Sequence, residues 1–255
     1  MSGIPRLRMF AGPNGSGKST IKAVIRPELL GVYINPDEIE KDIRERDFLD
    51  LKPFQVDTTA AEILGFFNAS ALLSQAGLLD EAACLRFNDD KLSFFEVSVN
   101  SYFASVAADF IRHKLLERGT SFTFETVMSS EDKVLFLQKA QQRGFRTYLY
   151  FVATDDPIIN ISRVRNRVRL GGHPVPDDKV MARYGRSLGL LLEAIRHTDR
   201  TYIFDNSGTA QIWLAEVSNG DALTMKTDVM PAWFKSAVWD KMLADKGQNE
   251  HETHH

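Results

Sequence analysis

Five short apolar runs recur along the chain, with helical patterns between them. Leu7–Ala11, Gly31–Asn35, Ser121–Glu125, Arg146–Val152 and Thr201–Asp205 each read as a strand. Pro36 stops the second run, and Gly119 precedes the third. Ala108–Arg118 carries Phe110, Ile111, Leu115 and Leu116 at helical spacing. Glu131–Arg143 carries Val134, Leu135, Leu137 and Ala140, with Gly144 as its stop and Ser129 and Ser130 as candidate caps. Strands alternating with helices predict an α/β fold on a parallel sheet covered on both faces. Ligands of such sheets bind beyond the carboxyl ends of the strands. The Gly12 loop, Asp37, Glu125 and Asp205 are therefore expected at one sheet edge.

Between residues 46 and 100 the pattern is longer than a crossover requires. It is rich in Leu, Ala and Phe and reads mostly as a helical insertion, with Thr58 or Thr59 capping a helix through Ala76. Phe48, Phe54, Phe66, Phe67, Phe87, Phe94 and Phe95 are expected to form its core. Beyond Asp205, two runs flank Asn219-Gly220, which predicts a hairpin. Pro231 then opens a last helix with Phe234, Val238 and Met242 on one face.

The first strand and the Ile21–Ile25 helical run bracket Gly12, Pro13, Asn14, Gly15, Ser16, Gly17, Lys18 and Ser19, followed by Thr20. This is the Gly-x-x-x-x-Gly-Lys-Ser spacing of a phosphate-binding loop in its strand–loop–helix setting. Glycines let backbone N–H groups surround an anion, Lys18 reaches the β- and γ-phosphates, and Ser19 offers a hydroxyl to Mg²⁺. ATP is the expected ligand class.

Composition narrows the rest. The 255 residues are 44% hydrophobic, enough for an ordinary core, and 31 basic against 34 acidic residues give a net charge of −3. That balance argues against wrapping nucleic acid. Cys84, in an Ala-rich apolar stretch, is expected to be a buried inert thiol. No apolar run reaches the ~20 residues of a membrane span, and no signal-peptide pattern opens the chain, so a cytoplasmic location is expected. Residues 246–255, with His251, His254 and His255, read as a frayed tail.

Three further groups could carry chemistry. Asp37 follows the second strand in Ile34-Asn35-Pro36-Asp37. A carboxylate there suits the base that takes a proton from an attacking hydroxyl; its structural alternative is a cap on the helix from Glu38. Glu125, with Thr126 beside it, ends the third strand and is a candidate for substrate binding. Ile161–Arg169 is the most basic segment. Arg163 and Arg167 flank its apolar face on one side, Arg165 and Arg169 on the other. A turn through Gly171, Gly172 and His173 follows, then a helix that Asp177 could cap, bearing Lys179, Arg183 and Arg186. Two basic arms around a Gly-rich turn read as a lid whose arginines, Arg163 and Arg167 first, close over a transferring phosphoryl group.

The phosphate loop GPNGSGKST, the INPDEI segment, the FTFETVMS strand and the RVRNRVRLGGHPVPDDKVMARYGRSL lid together resemble the zeta-toxin family, in its chromosomal, stand-alone branch. The resemblance covers residues 5–45 and about 100–208. It implies a P-loop kinase, an ATP- and Mg²⁺-dependent phosphotransferase with an alcohol acceptor, UDP-N-acetylglucosamine in the family. By position it implies Lys18 as the loop lysine, Asp37 as the base, Glu125 in the substrate cleft, and Arg163 or Arg167 on the γ-phosphate. It also implies an antitoxin protein as a possible partner. The 46–100 insertion departs from the family pattern where a substrate pocket would be built. The expected organisation is one P-loop kinase-like domain over 1–255, with that insertion and a lid over 157–197. An ATPase without a small-molecule acceptor, and a kinase of nucleic acid or another metabolite, are the alternatives.

Overall fold

Every predicted strand forms, along with five shorter or later ones. The computed structural model describes residues 3–172 and 174–245; His173 and the 246–255 tail lie outside the described residues. In chain order, β1 (Arg6–Ala11) leads into α1 (Ser19–Val24), then β2 (Val32–Ile34) and α2 (Pro36–Arg46). β3 (Phe48–Asp50), α3 (Ala60–Asn68), α4 (Ala71–Gln75), α5 (Leu79–Ala83), β4 (Arg86–Asn88) and β5 (Lys91–Ser93) follow. Next come α6 (Ser101–Arg118), β6 (Phe122–Thr126), α7 (Asp132–Gln142), β7 (Arg146–Ala153), α8 (Pro157–Arg169), α9 (Asp177–Gly189) and α10 (Leu191–Arg196). β8 (Arg200–Asp205), β9 (Ile212–Ser218), β10 (Ala222–Met225) and α11 (Ala232–Phe234) close the list, the last running into a π-helical turn over Lys235–Trp239.

The chain divides into two compact units, Met1–Pro27 with Thr126–His255, and Glu28–Glu125. In the first unit the strand order is β10-β9-β8-β7-β1. β1, β7 and β8 pair in parallel, while β9 and β10 turn back antiparallel. Strands buried on both faces explain the near-continuous apolar runs: Leu7, Met9, Phe10, Leu149, Phe151 and Ile203 are all inaccessible to solvent. The hairpin forms at Asn219-Gly220, both with positive φ. The last helix buries Phe234, Val238 and Met242, as its spacing predicts. Trp233 fixes its start: the backbone N–H donates to Asp155 Oδ1 (3.3 Å), and Nε1 donates to Asp205 Oδ2 (2.8 Å). Asp205 also accepts from the Ser207 N–H and hydroxyl, so this strand-end carboxylate is engaged in structure.

In the second unit β2 and β6 pair in parallel, and β3, β5 and β4 form a small antiparallel sheet. This sheet corrects the helical reading of the insertion. Its strands are three residues each, too short to show an alternating period. The β4–β5 turn is Asp89-Asp90, with both φ near +50 to +60°, a mirror-image turn usually announced by Asn-Gly. Thr59 does cap a helix, reciprocally with Glu62, but α3 ends at Asn68 and Ser70 starts α4 afresh. Phe67 and Phe94 are core and meet edge to face; Phe95 is 83% exposed and is not. Cys84 is only half-buried.

Helix α6 begins seven residues before its predicted start. Asn100 caps it, its side chain accepting from the Tyr102 and Phe103 N–H groups. Phe103, Ala104, Val106, Ala107, Ala108, Phe110, Ile111 and Arg112 are all buried, and only a narrow stripe through Tyr102, Ser105 and Asp109 is less covered, so the wide buried face obscures the start of the helix. Helix α7 lacks the predicted serine cap: its N-cap is Glu131, and the Ser130 hydroxyl bonds to Asp132. Among the described residues, no helix is long and apolar enough to cross a membrane.

Asn100→Ala removes an oxygen that serves two orphan N–H groups. It should cost about 1 kcal/mol, read as a lowered urea midpoint with an unchanged m-value.

Candidate phosphate site and its surroundings

The phosphate loop is defined by what presses on it. Gly12 has φ 143°, and a Cβ there would lie 2.0 Å from the Val152 carbonyl oxygen of β7. Gly15 has φ 74°, and a Cβ there would lie 2.5 Å from the Asn160 carbonyl oxygen of α8. Both neighbours are backbone, so neither glycine tolerates a side chain. Two asparagines then tie the loop down. Asn160 Nδ2 donates to the Asn14 carbonyl at 2.6 Å, and Asn206 Nδ2 donates to the Ser16 carbonyl at 2.8 Å. Neither asparagine was identified from sequence. The only signal was a polar residue inside the apolar run Ile158-Ile159-Asn160-Ile161.

Lys18 Nζ donates to the carbonyls of Gly12 (2.8 Å) and Pro13 (3.1 Å), which holds its charge at the loop. Ser19 is exposed at the first position of α1. Thr20 Oγ1 donates to the Gly17 carbonyl (2.6 Å) and lies 3.0 Å from the side-chain amide of Gln211. Ser16 Oγ, Asn14 Oδ1, Arg163 Nη1 and Gln211 Nε2 are buried without a hydrogen-bond partner among the described residues. Orphaned buried polar atoms are rare in folded proteins and call for a ligand or water. Two of them lie in the loop itself. The Gly-rich cradle and the orphan Ser16 hydroxyl fit a phosphate, and the Ser19 hydroxyl fits one position of a magnesium ion that takes its remaining oxygens from phosphates and water. Among the described residues no group of three or more His, Cys, Asp or Glu could hold a metal alone.

The basic helices belong to the same unit. Asp156 caps α8, accepting from the Ile158 N–H at 2.8 Å. Arg163 is half-buried and donates to the Gly208 carbonyl at 3.3 Å. Arg167 is exposed, with its stem against Gly172. Arg165 pairs with Asp177. Asp177 does not cap α9; the N-cap is Pro176, without a side-chain hydrogen bond. Arg186 Nε donates to the Ser129 carbonyl (3.1 Å), and Tyr184 OH to the Thr154 carbonyl (2.7 Å). Burial pushes the Tyr184 phenol up to about 12, helped by the charges of Asp155, Asp156 and Asp205. The Thr126 hydroxyl accepts from the Met128 N–H and so shapes the turn after β6.

In the second unit Asn35, not Asp37, caps α2, its side chain accepting from the Asp37 N–H at 2.9 Å. This overturns the capping alternative for Asp37, which stands exposed in the first helical turn. Glu125 is buried near the end of β6 and accepts a hydrogen bond from Tyr33 OH of β2. Burial, then the Glu125 charge, drives the Tyr33 phenol well above its ordinary range. It remains a neutral donor at any physiological pH.

A family model described as zeta toxin matches residues 96–218. An uncharacterised protein of Haemophilus influenzae is 28% identical over 72 residues, 28% of this chain and 51% of that protein. The crystal structure of AvrRxo1-ORF1:-ORF2 with ATP is similar at a TM-score of 0.50 and 15% identity, over 93% of this chain and 63% of that one. The AvrRxo1-ORF1:AvrRxo1-ORF2 structure with sulphate ions is similar at 0.52 and 15%, over 88% and 61%. The chain thus spans about half to under two thirds of the length of these relatives. The structures share its α/β fold. The family match covers just under half of the chain.

Gly15→Ala forces a side chain into α8 from a left-handed backbone. It should cost about 1–3 kcal/mol locally and weaken ATP binding at least tenfold, as read by calorimetric titration with MgCl₂ present.

Proposed function

We propose that this protein is an ATP-dependent phosphotransferase acting on an alcohol, a zeta-toxin-like kinase of UDP-N-acetylglucosamine or a related nucleotide sugar. One observation carries the ATP half: a Gly-rich loop, held by two asparagines, with an ammonium at its mouth and a buried orphan hydroxyl within it. In this reading the acceptor oxygen attacks the γ-phosphorus, the bond to the β–γ bridging oxygen breaks, and ADP leaves with that electron pair. The acceptor's proton passes to the Asp37 carboxylate. Lys18 and Arg163, with Arg167 beside it on α8, neutralise charge on the phosphates. Ser19 would hold the magnesium ion, which supplies further charge neutralisation when bound. Glu125, oriented by Tyr33, accepts from a hydroxyl of the acceptor, and Thr126 shapes the adjoining turn.

The sugar-nucleotide acceptor rests on the family resemblance, together with a buried carboxylate suited to a hydroxyl donor. The AvrRxo1 structures are of a complex with a second protein; a protein antitoxin is proposed as a partner here, and the cytoplasm as the place of work.

The test is transfer of label from γ-labelled ATP into separate panels of sugar nucleotides, dinucleotides, free sugars and oligonucleotides. Label in the sugar-nucleotide panel alone is the expected result. Release only as inorganic phosphate in every panel would instead identify an ATPase. With the labelled acceptor in hand, Asp37→Asn should lower kcat by about 10²- to 10⁴-fold and leave the ATP Kd within threefold. An unchanged kcat removes Asp37 from the role of base.

A further inference from the structure

A buried string of hydrogen bonds runs from the phosphate loop into both basic helices. It begins at the Asn14 carbonyl, which accepts from Asn160 Nδ2 at 2.6 Å. Asn160 Oδ1 in turn accepts from Thr154 Oγ1, at the end of β7. The Thr154 carbonyl then accepts from Tyr184 OH of α9 at 2.7 Å. Asn160 and Thr154 are completely inaccessible to solvent. Each member thus uses its polar atoms on the next, and each belongs to a different element: loop, α8, strand end and α9.

The chemistry of the string is specific. An asparagine amide is both donor and acceptor. Asn160 needs both to join the loop carbonyl, which only accepts, to the Thr154 hydroxyl, which here donates. The backbone of Asn160 meanwhile presses on Gly15, so side chain and main chain fix the loop from one residue. Three residues further along α8 stands Arg163, and the same helix carries Arg167; α9 carries Arg183 and Arg186. Both helices are therefore registered to the loop through Asn160 and Tyr184.

We infer that Asn160 is a positioning residue for nucleotide phosphates, and that the Asn160–Thr154–Tyr184 string sets the arginines of α8 and α9 in register with the loop. This inference rests on the proposed reading of the loop as an ATP site. Asn160 itself touches the loop's backbone and acts through it. Loss of its donor leaves the Asn14 carbonyl buried and unmet, and the loop then shifts to find a partner. Loss of the Tyr184 hydroxyl leaves the loop as it is and releases only α9.

The two ends of the string make different predictions, which separate positioning from mere stability. Asn160→Leu keeps the side-chain shape and removes both hydrogen bonds. It should weaken binding of ATP, titrated calorimetrically with MgCl₂, roughly tenfold. Tyr184→Phe should leave that Kd within twofold and lower kcat for phosphoryl transfer severalfold. If Asn160→Leu does not fold, Thr154→Val supplies the same test, since it removes the hydroxyl that orients the Asn160 amide. ATP binding unchanged in the folded Asn160→Leu or Thr154→Val protein overturns the inference while leaving the ATP site standing. Equal losses of Kd and kcat in Tyr184→Phe overturn the division of labour along the string. A wild-type protein that binds no ATP overturns the parent reading and this inference with it.

Discussion

A loop that turns its N–H groups toward an anion cannot use them to satisfy its own carbonyls. Carbonyls in such a loop need other donors, because buried backbone oxygens are rarely left unmet. Here side chains supply several of them, beside the Ser16 N–H that donates to the Pro13 carbonyl at 3.2 Å. Asn160 serves Asn14, Asn206 serves Ser16, and Lys18 serves Gly12 and Pro13. Each such bond contributes about 1 kcal/mol net, but leaving one carbonyl buried and unmet costs about 1–3 kcal/mol. The asymmetry matters more than the gain. The loop keeps its shape because departures from it strand polar groups. The contacts of Gly12 with β7 and of Gly15 with α8 then fix its distance from its neighbours.

The same reasoning locates stiffness in the basic helices. The bases of α8 and α9 are tied by buried or half-buried bonds: Asn160 to Asn14, Tyr184 to Thr154, and Ser187 to the Val127 carbonyl at 2.8 Å. Toward the turn the ties become weaker in kind. Arg165 and Asp177 form an ion pair with 65% and 43% of their side chains exposed, and such a pair is worth about 0–1 kcal/mol. Leu170 is 81% exposed. The two helices are thus held most firmly at the ends nearest the loop. Arg163 lies near the held end of α8, and Arg167 nearer its C-terminus.

What could be read from sequence was local. The phosphate loop announced itself because its spacing is set by backbone geometry within eight residues. The long strands did so because both their faces are buried. The first turns of helix α6 were obscured because its buried face is wide and only the narrow Tyr102–Ser105–Asp109 stripe is less covered. The three-residue strands of the 46–100 region fell below any alternation, and the Asp89-Asp90 turn lacked the usual glycine. Asn160 and Asn206 were invisible for a different reason. Their partners in the loop lie 146 and 190 residues away, and nothing in a lone polar residue specifies a partner at that distance. Charge and position made the arginines and Asp37 candidates, while the neutral amides that hold the loop carry no charge to mark them.

The two carboxylates of the second unit are suited to different work by their surroundings. Asn35 caps α2, so the helix does not call on Asp37 for that task. Asp37 stands exposed in the first turn. Glu125 is 9% exposed and already accepts from a phenol that burial keeps neutral. A fixed carboxylate with a committed neutral donor is better suited to orient a hydroxyl than to deprotonate it. Solvent access, rather than proximity in sequence to the strand ends, separates the two: the exposed Asp37 suits the proposed base, and the buried Glu125 the proposed partner of an acceptor hydroxyl.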